Sequence, residues 1–337
     1  MSFIESIYEK AKAKKRTIGV PEYKNEYMIK AAVKAQQDGI AQIVFVGDPA
    51  EVEASAKEYD VDITGARIAD LNDAAYIETL LNRYADSPNR VMSRKFVEKR
   101  IGNPLYLATL LEAVGETDAT IAGVDTTTYE FVLAANSIIG LEKDCNTASG
   151  LLIVEVPGYQ GEQGNVFGMG DGAVCIEPTV EQHAGIAIAA CETFSAVTGK
   201  EAKCAFLSYS TDGSGGDSAP VKKVRAAVAL AQELRPDLKI DGEFQTDAAI
   251  DMRVGKKKVK RPSEVAGQAN VLIFHDAAAA NSATKLLQRL GGAVVFGPLY
   301  QGFRLPILDC SRSDTDDILY NDMALLSVLA TAKKEKI

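Results

Sequence analysis

Short apolar runs alternate with helix-length amphipathic segments along most of the chain, and this alternation restricts the fold more than any other feature. RTIGV (16–20) reads as a short buried strand, 24–38 as a helix, IAQIVFVGD (40–48) as a strand and 49–59 as a helix opened by Pro49. The pattern continues with helices over 73–84 and 93–115, a strand at 119–124 and a helix over 127–139. Buried strands interleaved with helices of this length are the signature of βαβ units on a parallel sheet.

The texture changes after Gly140. LLIVEVPGYQGEQGNVFGMGDGAVCIEP (151–178) predicts two or three short strands around a glycine-rich turn, an antiparallel excursion. The α/β alternation then returns: helix 180–199, strand 203–211, helix 219–234, strands 238–244 and 269–276, helix 281–292, strand 293–302 and a closing helix over 315–334. At 337 residues the chain exceeds the size at which single cores stop growing, so two domains are expected, with a boundary near 140–150.

Composition narrows the function classes. Hydrophobic residues make up 47% and charged residues 25%, the mix of a soluble globular protein, and no apolar run approaches the ~18 residues of a membrane span. The first fifteen residues carry acids and lack a long apolar core, so they do not read as a secretory signal. Five cysteines (Cys145, Cys175, Cys191, Cys204 and Cys310) form no C-x-x-C pair, which fits a reduced, cytoplasmic setting. The net charge of −9 argues against nucleic acid as a partner, but a local Arg/Lys cluster can still hold an anionic small molecule. With only His183 and His275, a His-rich metal site is close to excluded, and a Ser-His-Asp triad has two candidates for its base.

Ligands of parallel sheets bind where strands run into helices. Four such loops are unusually polar. LSYSTDGSGGDS (207–218) exposes hydroxyls and backbone N–H groups ahead of a helix, and can either cradle an anion or act as a plain turn. In KIDGEFQTDAAI (239–250), Asp241, Glu243 and Asp247 could bind a hard metal, but orienting cationic side chains is the favoured role. In 274–290, Asp276 and Asn281 flank small residues at a helix start, with Arg289 two turns further on; a turn and an N-cap explain the first two equally. In 297–319, Ser311 and Arg312 precede a helix whose first turn holds Asp316 and Asp317, and stabilising the helix dipole accounts for these acids as well as a functional role does. The basic run KKKVKR (256–261) reads by default as a solvated loop, with contact to a CoA phosphate as the sharper alternative.

Seven collinear strings resemble the phosphate acetyl/butyryl-transferase family: NPLYLATLLEAVGE (103–116), AGVDTTT (122–128), GDGAVCIEPTVEQHAGIAIAACET (170–193), LSYSTDGS (207–214), LRPDLKIDGEFQTDAAI (234–250), VAGQANVLIFHD (265–276) with NSATKLLQRL (281–290), and GPLYQG (297–302) with DCSR (309–312). The resemblance implies two three-layer αβα domains with an interdomain cleft, similar to the isocitrate and isopropylmalate dehydrogenases. Domain I would comprise 1–144 plus 300–337, and domain II, inserted, 145–299. It implies reversible acetyl transfer between CoA and inorganic phosphate, with butyryl or another acyl group as the alternative and a catalytically silent CoA- or acyl-phosphate-binding relative as a third reading. CoA or acetyl-CoA, acetyl phosphate and phosphate would be substrates. No tightly bound cofactor and no metal is implied, and the assembly would be a homodimer.

The same resemblance assigns roles. Ser311 would hydrogen-bond the thiol, Arg312 would neutralise phosphate and the developing oxyanion, and Asp317 would be the base, with Asp316 and Asp314 as alternatives. Arg289, Ser210, Thr211, Ser214, Asp276 and Asn281 would bind phosphate or CoA. Three departures stand out: the Ser-Arg loop is one residue short, Leu133 lies where the family has an arginine, and Leu305 and Leu308 replace a lysine and an asparagine, which is expected to make the cleft more apolar.

Overall fold

A computed structural model describes residues 2–143 and 145–336. The chain divides into two compact units, Met1–Glu142 with Phe303–Ile337, and Lys143–Gly302. The expected boundary at 144 falls on a residue outside the described ones.

The first unit runs α1 (Phe3–Ala13), β1 (Arg16–Val20), α2 (Glu26–Gln37), β2 (Ala41–Gly47), α3 (Pro49–Glu58), β3 (Arg67–Asp70), α4 (Ala74–Asp86), α5 (Arg94–Glu98), α6 (Pro104–Ala113), β4 (Ala119–Ala122) and α7 (Thr128–Ile138). After the second unit, β11 (Ile307–Asp309) and α13 (Asp316–Lys336) complete it. Its strands lie in the order β3-β2-β1-β4-β11, all parallel. Val44 and Val46 of β2 meet Leu107, Leu110 and Leu111 of α6 in one apolar cluster. Ile43 and Phe45, alternating with them, face the other way and are wholly buried. On that side α2 and α13 pack on each other and over β1 and β2.

The helices begin where side chains satisfy otherwise orphaned N–H groups. Asn25 caps α2 and Asp48 caps α3 ahead of Pro49. The single helix expected over 93–115 is two helices, because Asn103 caps α6 and Pro104 takes its first turn. Thr127 and Glu130 form a reciprocal capping box on α7.

The second unit holds β5 (Ser149–Glu155), β6 (Val166–Gly170), α8 (Val180–Thr198), β7 (Lys203–Leu207), α9 (Ala219–Leu234), β8 (Lys239–Phe244), α10 (Thr246–Ile250), α11 (Met252–Lys258), β9 (Val271–Ile273), α12 (Ala277–Leu290) and β10 (Val294–Gln301). Its strand order is β10-β5-β6-β9-β7-β8. β5 runs antiparallel to both β10 and β6, as the glycine-rich excursion led one to expect, and β6, β9, β7 and β8 are parallel. Phe167, Met169, Leu207, Phe244 and Leu272 centre its core, with Leu287 of α12 against them.

Candidate functional site

In the first unit, the loops following β1, β4 and β11 are bound into one corner. β11 ends at Asp309, 4% exposed, whose Oδ2 accepts from the Thr128 hydroxyl at 2.6 Å. The next amide, Cys310 N–H, donates to Ala122 O at the end of β4 (2.7 Å). The chain then emerges and turns: Ser311 N–H donates to Asp314 Oδ2 (2.7 Å), and Asp314 N–H returns a bond to Ser311 O (2.9 Å). This reciprocal turn holds Ser311 and Arg312 exposed at the strand end. The Ser311 and Ser313 hydroxyls lie 3.0 Å apart. The Thr127 hydroxyl and backbone N–H hold the Glu130 carboxyl below its ordinary range, and the charge of Arg312 adds to this.

The three candidate acids are placed differently. Asp314 closes the Ser311 turn. Asp316 and Asp317 sit in the first turn of α13, where their charges favour the helix dipole. Asp317 is 80% exposed and lies 3.3 Å from Lys34 Nζ on α2.

A residue that sequence reasoning missed organises this corner. Glu22, just after β1 and 7% exposed, accepts from four consecutive backbone amides: Gly123 (2.9 Å) and Val124 (3.0 Å) on Oε2, Asp125 (3.2 Å) and Thr126 (2.7 Å) on Oε1. Its only sequence signal is an acid directly behind an apolar strand, in VPEY.

The second unit uses its polar loops mainly to hold themselves. Ser210 is fully buried; its hydroxyl donates to Glu243 Oε1 (2.7 Å) and accepts from Gly215 N–H (2.8 Å). Thr211 Oγ1 accepts from Gln245 N–H (2.8 Å), and Ser214 Oγ accepts from Thr211 N–H (2.9 Å). Ser210 and Thr211 shape the loop from inside, while Ser214 closes it from an exposed position. Each of the three acids in and just after β8 meets a cation, the favoured structural role: Asp241 with Arg261 through two parallel bonds (2.7 and 2.9 Å), Glu243 with Arg225 (2.7 Å) and Asp247 with Lys258 (2.7 Å). Arg261 and Lys258 belong to the basic run, so two of its cations are engaged rather than merely solvated.

Asp276 caps α12 through Ala279 N–H (2.7 Å) and meets His275 Nε2 at 2.9 Å. The helix therefore starts at Ala277, earlier than expected. Asn281 is exposed and reaches Gly172 O at 3.5 Å, in a loop whose amides of Ala173, Val174 and Cys175 are gathered by Asp171. Arg289 is exposed in the last turn of α12. Leu133 is exposed on α7, Leu305 is half-buried, and Leu308 is wholly buried in β11 opposite Ile121. Leu308 is thus a core residue and adds no apolar surface, contrary to expectation. Among the described residues no group of three or more His, Cys, Asp or Glu side chains could hold a metal, and no helix is long and apolar enough to cross a membrane.

Residues 2–327 match the family model for phosphate acetyl/butaryl transferase. The chain is 36% identical over 332 residues to the phosphate acetyltransferase of Clostridium acetobutylicum, covering 98% of this chain and 99% of the relative. It is 35% identical over 331 residues to that of Acetivibrio thermocellus, covering 98% of each. Among solved structures it resembles a phosphotransacetylase from Streptococcus pyogenes (TM-score 0.89, 28% identity, 98% of this chain and 99% of that one) and the EutD phosphotransacetylase from Staphylococcus aureus (TM-score 0.85, 29% identity, 97% and 98%). With a strand-end corner built from Ser311, Arg312 and nearby acids, and a family match spanning nearly its whole length, the chain belongs to the phosphate acetyl/butyryl-transferase family.

Proposed function

We propose that the chain transfers an acetyl group reversibly between CoA and inorganic phosphate, with the chemistry at the Ser311–Arg312 turn. The observation that carries this reading is the turn itself. It holds a hydroxyl and a guanidinium exposed side by side at the end of a parallel strand, in a chain whose relatives of similar length are phosphate acetyltransferases.

A free thiol with a pKa of ~8.5 is mostly protonated at neutral pH, so attack on acetyl phosphate requires a base. Asp317 takes the thiol proton; its contact with Lys34 is between exposed groups, worth about 0–1 kcal/mol, so its carboxylate is released at little cost. Asp314 is committed to the turn. Ser311 hydrogen-bonds the sulfur. The thiolate attacks the acetyl carbonyl carbon, a C–S bond forms, and the C–O bond to phosphate breaks as phosphate departs with its electron pair. Arg312 neutralises the carbonyl oxygen and the leaving phosphate. Of the six second-unit groups assigned to phosphate or CoA, Arg289, Asn281 and Ser214 are exposed and are the ones available to a ligand. We further place the protein in the cytoplasm as a homodimer, the assembly that sedimentation of the purified protein would test.

Exposed Leu133 favours a second reading, a longer acyl group. Purified protein with CoA and acetyl, propionyl or butyryl phosphate, followed by thioester absorbance, decides between them. Highest kcat/KM on acetyl phosphate supports the first reading, a maximum on butyryl phosphate supports the second, and no turnover on any donor overturns both.

A further inference from the structure

The first unit's corner contains a buried carboxylate that the proposed chemistry does not use. Glu22 collects four successive amides, Gly123 to Thr126, within 3.2 Å. Those N–H groups point inward at Glu22 and are consumed by it. This loop end therefore does not act as an anion cradle, although its position at a strand terminus would suit one.

The loop so fixed touches the turn bearing Ser311. Gly123 has φ +121°, and a Cβ there would lie 2.6 Å from both the N and the O of Cys310, so the loop rides directly on the backbone preceding Ser311. The same Cys310 amide is bonded to Ala122 O. On the other side of the loop, Thr127 starts α7, Thr128 binds Asp309, and Glu130 feels the charge of Arg312. Displacing the loop thus displaces the backbone that leads into the Ser311–Arg312 turn.

We propose that Glu22 is a positioning residue: its carboxylate sets the 123–126 loop, and through Gly123–Cys310 and Thr128–Asp309 it fixes where Ser311 and Arg312 stand. The proposal deepens the acyl-transfer reading and rests on it for its kinetic part only. A charge-neutral Gln at this position can offer one oxygen but must turn its NH₂ towards amide donors, so at least two of the four bonds are lost. Misplacing reacting groups by about 1 Å costs on the order of 100-fold in rate.

The test compares Glu22→Gln, Glu22→Asp and a control, Val52→Ala, which truncates a wholly buried side chain on α3. Two measurements are made: kcat and KM for CoA and for the acyl phosphate, and amide hydrogen exchange over 123–126 and 310–314. Glu22→Gln is expected to lower kcat at least about tenfold while KM for CoA moves less than about threefold, with faster exchange in both segments. Glu22→Asp, which keeps the charge, should recover part of kcat. Val52→Ala should lower the melting temperature without the loss of kcat.

Exchange that quickens at 123–126 but not at 310–314 overturns the proposal, as does a kcat loss in Val52→Ala equal to that of Glu22→Gln at matched melting temperature. If the wild-type protein shows no acyl transfer, the functional reading fails by itself, and the exchange data still decide whether Glu22 governs the Ser311 turn.

Discussion

Arg225 grips Glu243 from the side, Nε to Oε2 at 2.7 Å and Nη2 to Oε1 at 3.1 Å, while Glu243 itself is 2% exposed. Burial alone would raise the Glu243 carboxyl, but Arg225, the Ser210 hydroxyl and the Gly213 amide outweigh it and bring the pKa down to about 2. The pair ties α9 to the end of β8 and to the 208–218 loop.

Arg225→Ala leaves that carboxylate buried without its cation. Because Arg225 is about one-third exposed, water partly replaces it, and the expected result is a lowered unfolding midpoint with the fold retained. Urea unfolding at pH 7 measures it. The sign with pH follows from a folded pKa below the unfolded one. The stabilisation is complete above about pH 4.5 and is lost as pH falls towards 2, so wild type and variant should converge in acid.

Glu112 of α6 has the opposite linkage. Burial raises its carboxyl to about 8, opposed by a hydrogen bond from the Thr120 hydroxyl (2.7 Å) and by the charges of Lys333 and Arg304, with Asp118 adding slightly to the rise. The folded state holds a proton that the unfolded state releases near pH 4.5, so stability falls as pH climbs from there to about 8. Glu112→Gln should flatten this slope, matching wild type near pH 5 and exceeding it by a few kcal/mol at pH 8. Melting curves across that range check it.

Cys310 adjoins Ser311 and invites a covalent mechanism. Burial, followed by the charges of Asp322, Asp314, Glu22 and Asp309, pushes its thiol well above the ordinary range, so at neutral pH it is protonated and a poor nucleophile. Cys310→Ala should keep kcat within about threefold, since removing a group outside the chemistry leaves the transition state unchanged. Mass spectrometry of protein incubated with acetyl phosphate should find no acetyl group on Cys310.

The alternation of strand and helix was legible because buried parallel strands are near-continuous apolar runs. The losses were elements too short or too exposed to show a period. β3 (RIAD) has one buried residue, β11 has three residues, and α10 and α11 make barely one or two turns. The break before α6 is written in Asn103-Pro104, but helical periodicity runs across it and hides it. The Ser311–Arg312 turn came from the family resemblance, since a serine and an arginine before a helix have no period of their own. Glu22 was invisible because its four donors lie more than a hundred residues along the chain, and only the β1–β4 pairing brings them together.

The Asp317→Asn substitution, measured for kcat and for CoA affinity on the same preparation, probes the chemistry at its centre. Proton removal by this carboxylate predicts a fall in kcat of at least about 100-fold with the CoA dissociation constant nearly unchanged. Full turnover in Asp317→Asn, with the loss instead in Asp314→Asn or Asp316→Asn, would contradict it.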